Sequence, residues 1–362
     1  MSTMNTSKRG FTLIEILVAT AIFAIIMVGI LNMLDTSTRL SKVETAVADT
    51  QENVRFAAYH IMRTVRMMGG AVLPFAADIG GTDSWVMGEL LSNQSGTVAT
   101  DFGNVTVLAG SDVLTVHGFF EVSPFFIDRS DIITTGTDRV EVRESNAAGE
   151  IINYNFDRYD GLANLFEGRG IVFMGNMDQA QYAVGEVGAS SDVTGTAPTR
   201  KLNINFVGGA AQWYGLNPDG AQMSGPPAFN TYRVGILECY TYYVRPDFTL
   251  MRLRADASGA TPQPVAINIG GLQIALGVDN DNDGQIDTWL AAPTAGQVAG
   301  NRVLAMRIAV LGRTPFPVME WTEPVGTFDN GGGVLDMTIA SYDRSAKWRR
   351  IDVEAALRNY LL

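Results

Sequence analysis

The run Asp279-Asn280-Asp281-Asn282-Asp283-Gly284-Gln285-Ile286-Asp287 is dense in side chains with hard oxygen donors. Carboxylates on alternate residues converge where the chain bends sharply at a glycine, and Ca2+ takes about six to eight oxygens. The D-x-D-x-D-G-x-x-D spacing therefore predicts a calcium loop. Asp279, Asp281, Asp283 and Asp287 would give side chains, Gln285 its carbonyl, and water the remainder. An EF-hand would end in a bidentate glutamate, and Leu290 stands at that position, so a complete EF-hand is not expected. Asp, Asn and Gly also favour ordinary turns, which leaves a solvated acidic turn as the competing reading. The expected role of the ion is structural: it would clamp four carboxylates that otherwise repel.

Little else in the chain suits catalysis. The only two histidines, His60 and His117, fit no metal-ligand spacing, and the single cysteine, Cys239, allows no intramolecular disulfide. G-x-S-x-G, P-loop and H-E-x-x-H patterns are absent, so no enzyme activity is expected. Isolated acids such as Glu121, Glu141 and Glu320 are selected by nothing in the sequence. With 38 acidic against 26 basic side chains the net charge is −12, the wrong sign for a nucleic-acid binder. The basic cluster Arg344, Lys347, Arg349 and Arg350 reads as a solvated or salt-bridged strand on this acidic background. A hydrophobic fraction of 46% is enough for an ordered core.

The elements that must position these residues begin at the N-terminus. Residues 1–10 are polar and end in Lys8-Arg9-Gly10. From Phe11 to Leu34 the chain is apolar with one charge, Glu15. This run makes about 36 Å of helix, enough to cross a bilayer core of about 30 Å. Lys8 and Arg9 would hold its start on the cytoplasmic side. A secretory signal is cleaved after its apolar region, and no convincing A-x-A-like site follows here, so the segment is expected to be retained. Glu15 is costly in a membrane unless it is paired or reaches the headgroups.

The run Gly10-Phe11-Thr12-Leu13-Ile14-Glu15 resembles the type III signal sequence of type IV prepilins and pseudopilins. The resemblance implies that a membrane prepilin peptidase, which is also an N-methyltransferase, cuts between Gly10 and Phe11 and methylates the new terminus. It also implies that Glu15 meets the Phe11 ammonium of a neighbouring subunit, neutralising both charges in the fibre core and fixing axial register. Loss of the leader would lower the net charge from −12 to about −14.

Past the membrane run, Leu40, Val43, Val47, Val54, Ala58, Ile61, Val65 and Met68 recur at three- and four-residue steps. A polar step at Thr50 or Gln51 interrupts the stripe once. Arg63 and Arg66 suit the end of a helix dipole, and Gly69-Gly70 is expected to end the helix. The whole helix, Phe11 to Met68, would be about 87 Å long. A free coiled coil is the alternative to packing on a C-terminal domain. Gln51-Glu52-Asn53-Val54-Arg55-Phe56-Ala57 with Arg63, Arg66 and Gly69 resembles the helix end of PilW-type minor pilins. Gly277-Val278-Asp279 and Leu357-Arg358-Asn359 are similar to that family's acidic loop and terminal strand. Asn32 stands about where many major pilins have a proline, and there is no C-terminal cysteine pair; both departures suit a minor subunit.

From residue 71 the chain is rich in turn residues between short strand-like runs. Val105–Val116 is one strand region, and Asp138–Val142 with Ile151–Phe156 is expected to pair. Tyr232–Arg245 and Thr249–Arg254 read as a hairpin. Asn301–Leu311 alternates, with Leu304, Met306, Ile308 and Val310 on one face and Arg307 on the other. Ile351, Val353, Ala355 and Leu357 alternate similarly. Gly185–Pro198 and Gly215–Pro227 read as surface insertions. The expected fold is α+β and type IV pilin-like: leader 1–10, membrane and assembly helix 11–34, amphipathic helix 35–70, and a β-rich domain 71–362 with room for two sheets.

The function implied by the resemblance is that of a PilW-like minor pilin that primes pilus assembly or sits at the tip, serving adhesion, twitching motility or DNA uptake by the whole machine. Its partners would be prepilin peptidase, other minor and major pilins, the inner-membrane assembly platform and the membrane itself, without direct contact to nucleic acid. It would start as a single-pass inner-membrane protein with a periplasmic domain and end on the pilus or cell surface. A J-type pseudopilin of type II secretion shares the N-terminal features, and a tip adhesin binding a surface ligand is the reading of another class.

Overall fold

The computed structural model describes residues 11–68, 88–100, 103–118, 125–128, 139–145, 148–151, 170–174, 182–186, 192–205, 212–214, 222–223, 231–255, 261–281, 283–291, 302–318, 322 and 345–357. Contacts divide the chain into two compact units, Met1–Asp49 and Thr50–Leu362. The boundary falls within the segment read as 35–70.

One helix of 55 residues, α1 (Leu13–Met67), joins the two runs read from the sequence. Neither proline nor an interior glycine pair breaks it. Within the first unit every residue from Phe11 to Lys42 is exposed, Leu40 included, and the first buried side chain is Ala46. Gly69 and Gly70, expected to stop the helix, lie outside the described residues.

The strands of the second unit are, in order, β1 (Gly88–Thr100), β2 (Gly103–Gly118), β3 (Phe125–Asp128), β4 (Arg139–Arg143), β5 (Gly170–Met174) and β6 (Tyr182–Glu186). Then come β7 (Asp192–Thr194), β8 (Lys201–Asn205), β9 (Gln212–Tyr214), β10 (Gln222–Met223), β11 (Thr231–Val244) and β12 (Thr249–Ala255). The last five are β13 (Thr261–Ile267), β14 (Ile269–Asp279), β15 (Thr288–Leu290), β16 (Arg302–Arg313) and β17 (Trp348–Ala356). Among the described residues they form three antiparallel sheets, one more than the two for which the sequence left room: a ten-stranded sheet centred on β11, a four-stranded sheet β15-β14-β16-β17, and a three-stranded sheet β4-β8-β7.

The expected hairpin is β11–β12, with Val244 opposite Leu250. Its turn is closed by Arg245 N–H to Thr249 O at 2.9 Å, with Phe248 at a φ of 62°. The expected pairing of 138–142 with 151–156 is not seen among the described residues. Instead β4 pairs with β8, and Ile151 makes only an isolated bridge to Ser145; residues 152–156 lie outside the described residues. The register of β4 on β8 is pinned at its end by a bidentate pair. Arg200 Nε and Nη2 donate to the two oxygens of buried Glu144 at 2.9 and 2.6 Å. The two segments read as insertions are not bare loops either: β7 and the end of β6 fall in the first, and β10 in the second.

The core lies between the second half of α1 and the sheets. Val54, Ala57, Ala58, Ile61, Val65 and Met68 are fully buried against apolar residues of β2, β11, β14 and β16. Thr50, read as an interruption of the stripe, is also fully buried, and its hydroxyl donates to Arg313 O at 3.1 Å. A polar residue fits the seam because its hydrogen bond is made. The alternation read in Asn301–Leu311 is present in β16, but Ala309 and Leu311 on its second face are buried as well. That face packs on Ala275, Ala346 and Trp348, so the small sheet is covered on both sides.

Candidate functional site

Two places carry the residues singled out for function, and a third was missed. The first is the start of α1. Gly10 lies outside the described residues; Phe11 is 86% exposed. Thr12 and Glu15 form a capping box. Glu15 Oε2 accepts from Thr12 N–H at 2.8 Å and from Thr12 Oγ1 at 2.9 Å, and Glu15 N–H points back to Thr12 Oγ1 at 3.4 Å. The arrangement satisfies donors that a helix start leaves open. The T-x-x-E spacing was legible in the sequence, and only the acid was singled out there. Beyond it, an 18-residue window of α1 has mean hydropathy 2.7 with none of it buried, so the helix is long and apolar enough to cross a membrane. The hydroxyl of Thr20, inside the run, donates to Leu17 O at 3.0 Å, which removes its polar cost in lipid.

The second unit is fitted to the other half of α1 at close range. Gly312 on β16 faces the helix, and a Cβ there would collide with Val54 Cγ2 and crowd Thr50. On the other sheet the Tyr242 hydroxyl lies 2.8 Å from Thr64 Oγ1 and 3.2 Å from His60 Nδ1. Burial pushes the Tyr242 phenol up to about 12. Burial, then the nearby Arg252 and Arg63 guanidinium groups, push His60 below its ordinary value. His60 is thus a partnered, half-buried imidazole. Cys239 lies in β11 opposite His117 of β2.

The second place is the carboxylate loop between β14 and β15. Val278 pairs with Thr288, and Asp287 N–H donates to Val278 O at 3.0 Å, closing the loop's base. Asp279 is fully buried at the end of β14, while Asp281 and Asp283 are exposed; an oxygen from each lies within 4.8 Å of the others. Gly284, at a φ of +85°, makes the bend, and its N–H donates to Asp279 Oδ2 at 2.9 Å. Asp283 N–H donates to Asp281 and Gln285 N–H to Asp283, at 3.1 and 2.7 Å. Asp287 is not brought into the trio: its Oδ2 accepts from Asn280 N–H at 2.7 Å. Asn282 lies outside the described residues. Below the loop, Ile286 and Trp289 close over Gly277, where a Cβ would crowd both. Arg307 stacks on Trp289 at 3.9 Å and pairs with Glu354 at 3.1 Å.

The missed place is a polar seam between β2 and β14. Asp112 is fully buried, and its two oxygens accept from Asn93 N–H and Ile274 N–H, each at 2.7 Å. Leu272 N–H donates to Ser111 Oγ at 3.1 Å, and Gln273 Nε2 donates to Gly110 O at 2.6 Å. Burial pushes the Asp112 carboxyl up to about 7, against the lowering effect of its two N–H donors. The Ser-Asp pair sits within β2 and looks like turn chemistry in sequence; only the tertiary pairing reveals its use.

Two family models match the chain. The prokaryotic N-terminal methylation motif covers residues 5–31, and the family Type IV Pilus-assembly protein W covers residues 241–358. No curated protein and no solved structure matches it. The first match contains Gly10, Phe11 and Glu15. The second runs from the end of β11 through β17, and so includes the carboxylate loop and Gly312. With the methylation motif at the head of an exposed apolar helix and a PilW-type region packed on that helix's far half, the chain is similar to type IV pilin-like proteins, and over residues 241–358 to the PilW-type pilus-assembly proteins.

Proposed function

We propose that this minor pilin is cut by prepilin peptidase between Gly10 and Phe11, is N-methylated at Phe11, and enters the type IV pilus as a priming or tip subunit. The observation that carries the reading is the run Phe11–Leu34, exposed along its whole length with Glu15 as its only charge. An apolar helix surface of this size is stable only in lipid or against similar helices. In the fibre, Glu15 would add the Phe11 ammonium of a neighbouring subunit to the Thr12 groups it already engages, neutralising a charge that lipid disfavours. The assembly platform and the other pilins are the partners this requires. A deletion strain tests the role. The reading predicts lost piliation, restored by the intact chain and not by Glu15→Ala. Lost exoprotein secretion with normal pili would move the protein to the J-type pseudopilins, and normal pili with poor surface attachment would make it an adhesin.

The carboxylate loop is read as a structural calcium site. The donor set suits a hard cation: carboxylate oxygens of Asp279, Asp281 and Asp283 already converge, and Asp287 lies in the same short loop. The ion would supply the charge that offsets the mutual repulsion of these groups, tying the β14–β15 corner together. At a concentration about 100 times its Kd it would stabilise the fold by about 2.7 kcal/mol. The melting temperature of the detergent-solubilised full chain should therefore rise with millimolar calcium and not in Asp281→Asn/Asp283→Asn. An unchanged value in the unaltered chain would sink the calcium reading alone.

A further inference from the structure

Where the second half of α1 meets the β11–β12 hairpin, positive charge gathers from two elements. His60 and Arg63 come from the helix, and Arg252 comes from β12, opposite Tyr242 of β11. His60 and Arg252 are half-buried and Arg63 is exposed, while Tyr240 and Tyr242 are buried. Arg252 is held in place: its Nη2 donates to Gln263 Oε1 at 2.7 Å, and its guanidinium lies 4.8 Å from the Tyr240 ring centre. Its Nε is buried without a hydrogen-bond partner. Arg63 takes part in no salt bridge among the described residues.

The hydrogen bonds around His60 set its protons. Thr64 Oγ1 donates to His60 O at 3.2 Å, so at 2.8 Å from the Tyr242 hydroxyl it is the acceptor. Tyr242 oxygen then accepts from His60 Nδ1–H at 3.2 Å, which leaves Nε2 as the nitrogen open to a further proton. Arg252 and Arg63, after burial itself, oppose that proton, and the Arg252 charge is also felt at Tyr242.

Carboxylates are remote from these groups. On α1, Glu52 and Asp49 lie about 12 and 17 Å of helical rise before His60, past a screening length of about 8 Å. Strands β12 and β13 contain no acid, and Asp247 at the hairpin turn pairs with Arg245. Glu238 of β11 is about 13 Å of strand away from Tyr242. Arg55, Arg66 and Arg254 add further positive charge along the same elements. Like charges held together in a half-buried seam repel each other, and a bound anion removes the repulsion.

We propose that His60, Arg63 and Arg252 form a binding site for a phosphate-bearing anion. The two guanidinium groups approach from different elements and offer forked N–H pairs that match a tetrahedral oxyanion. His60, protonated at Nε2 when the anion is bound, adds a third donor. The site depends on neither the assembly role nor the calcium loop.

Thermal unfolding of the detergent-solubilised full chain, at ionic strength held constant with chloride, tests the site. Millimolar inorganic phosphate should raise the melting temperature on the order of 2 °C. Arg63→Gln, an exposed substitution that leaves the fold intact, should weaken the response at least about tenfold in concentration, and Arg252→Gln should abolish it. Sulfate, whose charge is constant with pH, should act more strongly at about pH 5.5 than at about pH 8, and His60→Gln should remove that difference. Phosphatidylglycerol added to the micelles separates the sources. A gain with the inorganic ion assigns a soluble phosphate; a gain with the lipid alone, lost in Arg63→Gln, assigns a headgroup. No gain with either overturns the proposal. So does an equal gain in the parent and Arg63→Gln, which a general salting effect would give. A sulfate gain that is the same at both pH values overturns the place of His60 in the site.

Discussion

The two halves of α1 have the same backbone and opposite fates. From Phe11 to Lys42 no side chain is buried, although the run to Leu34 is almost wholly apolar. From Thr50 to Met68 the helix has a fully buried stripe that includes a threonine. Hydropathy alone would rank the first half as the better core element. What separates them is where the partner lies: the second half is closed against strands of its own chain, and the first half has apolar surface for which its own unit supplies no cover. A helix whose buried face is in-chain at one end and external at the other is built to be held by a domain and inserted into an assembly.

Paired substitutions break or sharpen this comparison. The largest effect is expected at Gly312. Gly312→Val forces a side chain into Val54 and Thr50 and should cost about 3 kcal/mol in denaturant unfolding of the detergent-solubilised chain. Its counterpart Gly29→Ala, with nothing within 4 Å, should leave unfolding of the β-rich unit unchanged while favouring the helix. Equal costs at the two glycines would contradict the account.

The seam beneath the second half comes next. Asp112→Asn leaves one of two backbone N–H groups without an acceptor and should cost about 2 kcal/mol. It should also change the pH dependence. The folded-state carboxyl is raised from an ordinary 3.8 to about 7, so the folded chain holds a proton that the unfolded chain releases. Its contribution is full below about pH 4 and is lost as pH rises through 7. Melting temperatures taken across that range should fall in the parent and fall less in Asp112→Asn. A smaller loss, about 1 kcal/mol, is expected for Tyr242→Phe, which removes the hydroxyl from Thr64 and His60. The smallest is Leu17→Ala on the exposed half: it should leave domain unfolding unchanged and weaken only membrane retention and assembly.

Much of this was legible in sequence where the signal is local. The methylation motif, the apolar run, the hairpin at Arg245–Phe248 and the alternation in β16 depend on neighbours along the chain. Thr50 was misread because its partner, Arg313 O, is remote in sequence. The pairing of β4 with β8 was missed for the same reason, since the Glu144–Arg200 clamp crosses a long intervening segment. The carboxylate loop is intermediate: its spacing predicted convergence, which Asp279, Asp281 and Asp283 show, whereas Asp287 turns to Asn280 because a nearby N–H competes for its oxygen.

The central claim is that the exposed half of α1 is a processed assembly element. Intact-mass and N-terminal analysis of the protein from cells with and without prepilin peptidase tests it most directly. The account predicts a chain beginning at N-methylated Phe11 that is absent from the peptidase mutant. A chain retaining residues 1–10 in both strains would contradict it and reduce α1 to an ordinary membrane anchor.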